Sequence, residues 1–334
     1  MFSFDVVPGK VAKEILDTSA TTVVDLVRDA YLRHDAGRTV NPDSYFLRFP
    51  ERPDARIIAL PAFIGLAESP VAGIKWISSF PANVAKGIPR ASAVLIINDY
   101  ATGYPVALLE AATISAVRTA ASAAVAAEAI GRHVPGDGHI AVIGAGVIAR
   151  TILRYLTATG YPVSDVLVYD LNAESAASLA RFAAQELGIT ARLAGTAGEA
   201  LTAQTVITAT TAARPYITQP LRAGQVALNI SLRDFDPAVI LAADNFFDDV
   251  EHCMKASTSP HLAEQATGGR EFASGTLADI LRGRVRPRAS RAVVFSPFGL
   301  GVLDLAVGQF VLATARERGL ATEIPDFFGE TRRW

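Results

Sequence analysis

The stretch that decides the reading is "HIAVIGAGVIAR", residues 139–150. An apolar run, the pattern of a buried strand, ends at Gly144-Ala145-Gly146-Val147-Ile148-Ala149, and a helix pattern begins there. Gly144 permits a tight turn. Gly146 lets a pyrophosphate approach the helix N-terminus, where free N–H groups and the helix dipole favour negative charge. Ala149 stands where a third glycine is common, for close packing of helix on strand. Taken alone, such a turn is a weak signal, and a glycine-rich turn with no ligand is the alternative. The next strand, "DVLVYD" at 165–170, ends in Asp170, at about the offset of an acid that binds ribose hydroxyls. A carboxylate there repels a 2′-phosphate, so the pattern favours NAD over NADP. Gly144, Ala145, Gly146, Val147, Ile148 and Asp170 are therefore candidate cofactor-binding residues.

Working outward, strands and helices alternate. Strand patterns at 139–146, 165–170, 205–210, 225–230, 245–250 and 291–296 are interleaved with helix patterns at 147–159 and 173–187. Alternation of this kind implies parallel strands with helices on both faces, a doubly wound α/β sheet. Upstream, residues 105–138 are alanine-rich without Gly or Pro between Pro105 and Gly131, which predicts one long helix. The first hundred residues read as α+β, with a helix over 18–36 and strands at 45–49, 55–60, 71–78 and 91–99. A last helix is expected over 299–320.

Composition narrows the class. The chain has 334 residues, half of them hydrophobic, and a net charge of −2. Its length suggests about two domains. The charge gives no reason to expect nucleic acid or an anionic membrane as partner. No run of ~18 uncharged apolar residues predicts a membrane span. With one cysteine, Cys253, and no signal-peptide pattern at the start, the expectation is a cytoplasmic protein.

Several polar residues stand out against apolar surroundings. Arg118 is the only charged side chain between Ala111 and Ala127. A guanidinium packed into such a helix needs an anion, either a ligand or an unidentified Asp or Glu. Lys75 lies in the apolar strand "VAGIKWIS", on the face opposite Ile74 and Trp76. By itself it reads as an exposed strand lysine, and Arg48 in "YFLRFP" reads the same way. In doubly wound sheets, ligands bind outside the carboxyl ends of the strands. Thr210, at the end of one strand, and Asn229 and Ser231, at the end of the next, are thus placed to contact nicotinamide or ribose. Asp234, just beyond, is placed to face substrate, a turn aspartate being the alternative. The basic run "RGRVRPRASR" at 282–291 reads as a solvated loop. His252-Cys253 has no companion cluster with metal-ligand spacing, so no metal is expected. Ser115 and Ser122 lack a His–Asp set for a hydrolase triad.

The segments "GIKW" at 73–76, "TGYPVALLEAATISAVRTAA" at 102–121 and "AVIGAG" at 141–146 resemble the ornithine cyclodeaminase/mu-crystallin family over nearly the whole chain. "GIKWISSFPANVAKGIPRASAVLIIND" and "NISLRDFDPAVILAADNFFDD" are most similar to the branch that makes L-2,3-diaminopropionate for siderophores and peptide antibiotics. That resemblance implies NAD-dependent oxidation of an amino-acid conjugate, N-(1-amino-1-carboxy-2-ethyl)-L-glutamate, to 2-oxoglutarate and L-2,3-diaminopropionate. Ornithine or lysine cyclodeaminase and related amino-acid dehydrogenases or imine reductases are the alternatives. The cyclodeaminase pattern of Asp-x-Pro-Gly-Lys is here Asp234-Phe-Asp-Pro-Ala, which favours the diaminopropionate branch. The resemblance also implies Arg48, Lys75, Ser92 and Arg118 as substrate-binding residues and Asp234 and Lys75 as catalytic. It implies a substrate and dimerisation domain from 1–118 and 299–334, an inserted Rossmann domain at 119–298, a homodimer, and a pyridoxal-phosphate synthase as pathway partner.

Overall fold

The structure is a computed structural model and describes residues 3–65 and 70–332. The chain divides into two compact units, one from Met1–Arg118 with Leu300–Trp334, the other from Thr119–Gly299.

The second unit is a doubly wound α/β domain. Its sheet has eight parallel strands, ordered Thr190–Leu193, Asp165–Tyr169, His139–Ile143, Thr205–Thr208, Val226–Asn229, Val293–Ser296, Asp244–Phe247, Ala273–Thr276. The central strands are buried from end to end, as parallel strands covered on both faces must be. From His139–Ile143 the chain first winds outward through 165 and 190. It then returns to Thr205–Thr208 on the other side and winds away through 226. The two directions part between His139–Ile143 and Thr205–Thr208, and a crevice opens at such a switch point.

The first unit is built on a second eight-stranded sheet, mostly antiparallel. The long strands Arg52–Ile64, Val71–Ser79 and Ala91–Asp99 form its middle, and Tyr45–Phe49 pairs with Arg52–Ile64. Helix Gly301–Glu317 lies across one face. Close approach is possible because both sides give way. A Cβ on Gly308 would sit 2.0 Å from Leu95 Cδ2, and one on Gly73 would sit 2.4 Å from the Ile96 carbonyl oxygen and 3.0 Å from Leu305 Cδ1.

Three expectations need correction. Residues 105–138 are not one helix: Pro105–Glu110 is a strand, and the helix runs Ala112–Gly131. Ala107 and Leu109 are buried in the sheet, so tertiary packing overrides their helix propensity. Glu110 then marks the boundary, its Oε1 accepting the Ala112 N–H at 2.6 Å. Arg52-Pro53, a dipeptide whose composition signals a turn, instead opens strand Arg52–Ile64. The basic run at 282–291 is not simply solvated: Arg288 grips the buried Asp244 carboxylate through two donors, at 2.9 and 2.5 Å, and Arg291 lies 3.4 Å from it.

Candidate active site

In the first unit, Lys75 is 1% exposed, so the strand alternation points it inward and the exposed reading fails. Its strand is paired on both sides, with Leu60 and Leu95 as neighbours in register. The Lys75 Nζ donates to Asp304 Oδ2 at 2.5 Å and to Ser115 Oγ at 3.2 Å. The Arg118 Nε donates to the other oxygen of the same carboxylate, Asp304 Oδ1, at 3.1 Å. Ser115 and Arg118 are one turn apart on helix Ala112–Gly131. Asp304, fully buried, sits in the first turn of helix Gly301–Glu317, where the dipole favours negative charge. The cluster thus holds two cations on one anion. Burial pushes the Lys75 pKa down to about 8, with the Arg118 charge adding to the fall and Asp304 opposing it.

The protein anion left open for Arg118 is therefore Asp304, a residue that sequence reading missed. A signal for it existed. Asp304 is the only charged residue in "GLGVLDLAVGQFVLATA", as Arg118 is between Ala111 and Ala127.

Arg48 is exposed on the edge strand, with its guanidinium carbon 5.2 Å from the centre of the Phe46 ring. Ser92 does not join the lysine. It pairs in register with Ser78, its Oγ 2.8 Å from the Ser78 Oγ, and alternation puts Ser78 on the face away from Lys75.

In the second unit, Gly144 has φ +94°, and a Cβ there would lie 2.6 Å from the Ala209 carbonyl oxygen. Gly146 is the N-cap of helix Val147–Ala158, offers no side-chain cap, and a Cβ on it would meet nothing within 4 Å. Ala149 is buried against the strand. Asp170 braces the turn, its Oδ2 accepting the Ala145 N–H at 2.7 Å and its Oδ1 the Asn172 N–H at 2.8 Å. Val147 and Leu171 stand exposed beside the turn, Leu171 at 93%. An uncapped helix start, an open glycine and a strand-end acid together fit a dinucleotide.

Thr210, Ser231 and Asp234 meet at the carboxyl ends of strands Thr205–Thr208 and Val226–Asn229. The Thr210 Oγ donates to Asp234 Oδ1 at 2.7 Å, and the Thr210 N–H to Ser231 Oγ at 2.8 Å. Asp234 is fully buried, and its Oδ2 has no hydrogen-bond partner among the described residues. Burial pushes its pKa up, and the nearby hydroxyls, Ser231 and Thr210 first, hold the rise back. Asn229 is placed otherwise than expected. It is fully buried and spans three strands, accepting from Thr208 Oγ and donating to Ser296 Oγ, each at 3.0 Å. Both ends of its amide are used within the sheet. A polar cleft of about 550 Å³ lies elsewhere in this unit, at the amino ends of strands His139–Ile143 and Asp165–Tyr169. Its His139 and Arg192 both lie against Asp165, at 2.8 and 3.8 Å. Among the described residues no group of three or more His, Cys, Asp or Glu could hold a metal ion.

Residues 10–319 match the model of the ornithine cyclodeaminase/mu-crystallin family. The chain belongs to that family. Among curated relatives it is 31% identical over 312 residues to the N-((2S)-2-amino-2-carboxyethyl)-L-glutamate dehydrogenase of Staphylococcus aureus, covering 90% of this chain and 92% of that one. It is 25% identical over 317 residues to an alanine dehydrogenase of Archaeoglobus fulgidus, covering 92% and 95%. Among solved structures, Delta(1)-pyrroline-2-carboxylate reductase of Thermococcus litoralis, in complex with NADH and L-proline, superposes with a TM-score of 0.88 at 25% identity, covering 96% of this chain and all of that one.

Proposed function

We propose that this family member is an NAD-dependent dehydrogenase that converts N-(1-amino-1-carboxy-2-ethyl)-L-glutamate and water to 2-oxoglutarate and L-2,3-diaminopropionate. The observation that carries the reading is the Lys75–Arg118–Asp304 cluster: a buried lysine and a part-buried arginine share one buried carboxylate, so the site has spare positive charge for a substrate carboxylate. Support for the particular substrate comes from the similarity to the Staphylococcus aureus dehydrogenase.

Bound NAD would supply the hydride acceptor for oxidation of the carbon–nitrogen bond at the glutamate-side Cα. The residues to hold it are the turn Gly144–Ile148, Asp170 and Thr210. The protein's own part is positioning and proton movement. Arg118 and Lys75 hold a substrate carboxylate, which fixes orientation as well as charge. Hydrolysis of the oxidised bond removes a proton from water and delivers one to the departing nitrogen. Asp234, with one oxygen unpartnered and its pKa raised, binds the amine and transfers its proton. Lys75, with a pKa of about 8, carries its charge at neutral pH and polarises the attacking water.

The protein acts as a homodimer in the cytoplasm on this reading. The sheet face away from helix Gly301–Glu317 is apolar and part-exposed, with Leu47 at 47% and Trp76 at 40%, and an apolar sheet face of this kind favours burial against a second copy. No helix among the described residues is long and apolar enough to cross a membrane. The test is a panel of substrates with NAD: the glutamate conjugate, ornithine, lysine, alanine and arginine. Net NADH with the conjugate is the expected result. Proline from ornithine with no net NADH would overturn the reading in favour of cyclodeamination.

A further inference from the structure

The sheet face that carries Lys75 holds a second basic group further along. Alternation keeps Lys75, Ile77 and Ser79 on one face. In register, Arg56 lies opposite Ser79, and Arg48 lies opposite Arg56. Arg90, just before strand Ala91–Asp99, donates from its Nη1 to Ser79 Oγ at 2.7 Å. Three arginines thus converge on one cross-strand row. At ~3.3 Å per residue, that row is roughly 13 Å along the strand from Lys75.

Among the described residues no carboxylate is within ion-pair distance of Arg48 or Arg90. The contact of Arg48 is the Phe46 ring, and that of Arg90 is the Ser79 hydroxyl. Arg90 is half-buried, and burial lowers its pKa with no carboxylate to oppose the fall. One neutral hydroxyl leaves most of the donors of a guanidinium unfilled.

We propose that Arg90, in one row with Arg48, binds a second carboxylate of the substrate, remote from the carboxylate held at Lys75 and Arg118. The row then selects substrates with carboxylates at two ends over monocarboxylate amino acids. The proposal rests on the dehydrogenase reading for what occupies the site, and adds the residue that sets its length and charge preference. A planar fork matched to a carboxylate supplies geometry as well as charge, which a lysine would not.

The experiment measures binding of two 2-oxoacids to the NADH-loaded protein by calorimetry. The probes are 2-oxoglutarate and 2-oxovalerate, which carries a methyl where the first carries its distal carboxylate. The wild-type protein is expected to prefer 2-oxoglutarate by about tenfold or more, the worth of a charge-assisted pair. In R90Q that preference disappears while 2-oxovalerate binds as before, and R90K recovers part of it. NADH affinity and the urea midpoint serve as folding controls, and R90K carries the comparison if R90Q is unstable. A wild-type protein without the preference, a variant that keeps it, or a variant that loses both ligands equally overturns the proposal. No turnover is needed, so absence of NADH production from the conjugate would sink the dehydrogenase reading separately.

Discussion

At the scale of single residues, Asp234 and Lys75 are each held in a protonation state that costs stability. Burial raises the Asp234 pKa above its unfolded value, so the folded protein binds more protons than the unfolded chain between the two values. Stability from this group falls as pH rises through that window, and the penalty is complete only above the folded pKa. D234N is therefore expected to unfold at an equal or higher urea concentration at pH 7. It should also lose about 10²-fold or more in turnover, the usual worth of a proton-transfer group, with NAD affinity nearly intact. Parallel loss of turnover and NAD affinity would refute the assigned role. Lys75 has the opposite sign. Its pKa falls from 10.5 to about 8, so between these values the unfolded chain holds the extra proton. Stability must then rise with pH across that window. Urea midpoints at pH 8 and 10.5 should show this rise in the wild type, and a smaller one in K75M.

At the scale of elements, two glycines of one turn make different demands. Gly144 is required by the fold, since φ +94° and the Ala209 carbonyl oxygen 2.6 Å from a would-be Cβ exclude a side chain. Gly146 is required by nothing in the fold, because a Cβ there meets nothing within 4 Å. G146A is expected to leave the urea midpoint unchanged and to weaken NADH binding, read by fluorescence titration. G144A should lower the midpoint as well. If G146A bound NADH like wild type, the pyrophosphate would not pass this turn. The contact of helix Gly301–Glu317 on its sheet is equally tight. G73A puts a Cβ against backbone at 2.4 Å and should cost about 1–3 kcal/mol by overpacking, measurable as a shift in urea midpoint.

At the scale of the whole molecule, the prediction concerns assembly. Trp76 is 40% exposed on the uncovered sheet face, in a strand whose other face is buried by its own helix. If that face buries itself against a second copy, W76E places a charge in an apolar contact. Sedimentation velocity should then show a dimer for the wild type and monomer for W76E at the same concentration. A wild-type protein that sediments as a monomer would remove the dimer from the proposed function.

The amino-acid order by itself determined the doubly wound domain. Strand, glycine turn and helix at 139–158, with Asp170 one strand later, are local demands on backbone conformation, and each is written in adjacent residues. It also marked Arg118 and Asp234 by their settings, the one charged residue between Ala111 and Ala127 and one carboxylate past a buried strand. Only the tertiary structure decided the rest. It turned Lys75 from a surface residue into a buried one, because the covering helix lies 229 residues away in sequence. It named Asp304 as the shared anion, set Ser92 on the opposite face by register, and spent the Asn229 amide on its neighbours. Which charges meet, and which face a helix covers, depend on long-range packing that no local pattern encodes.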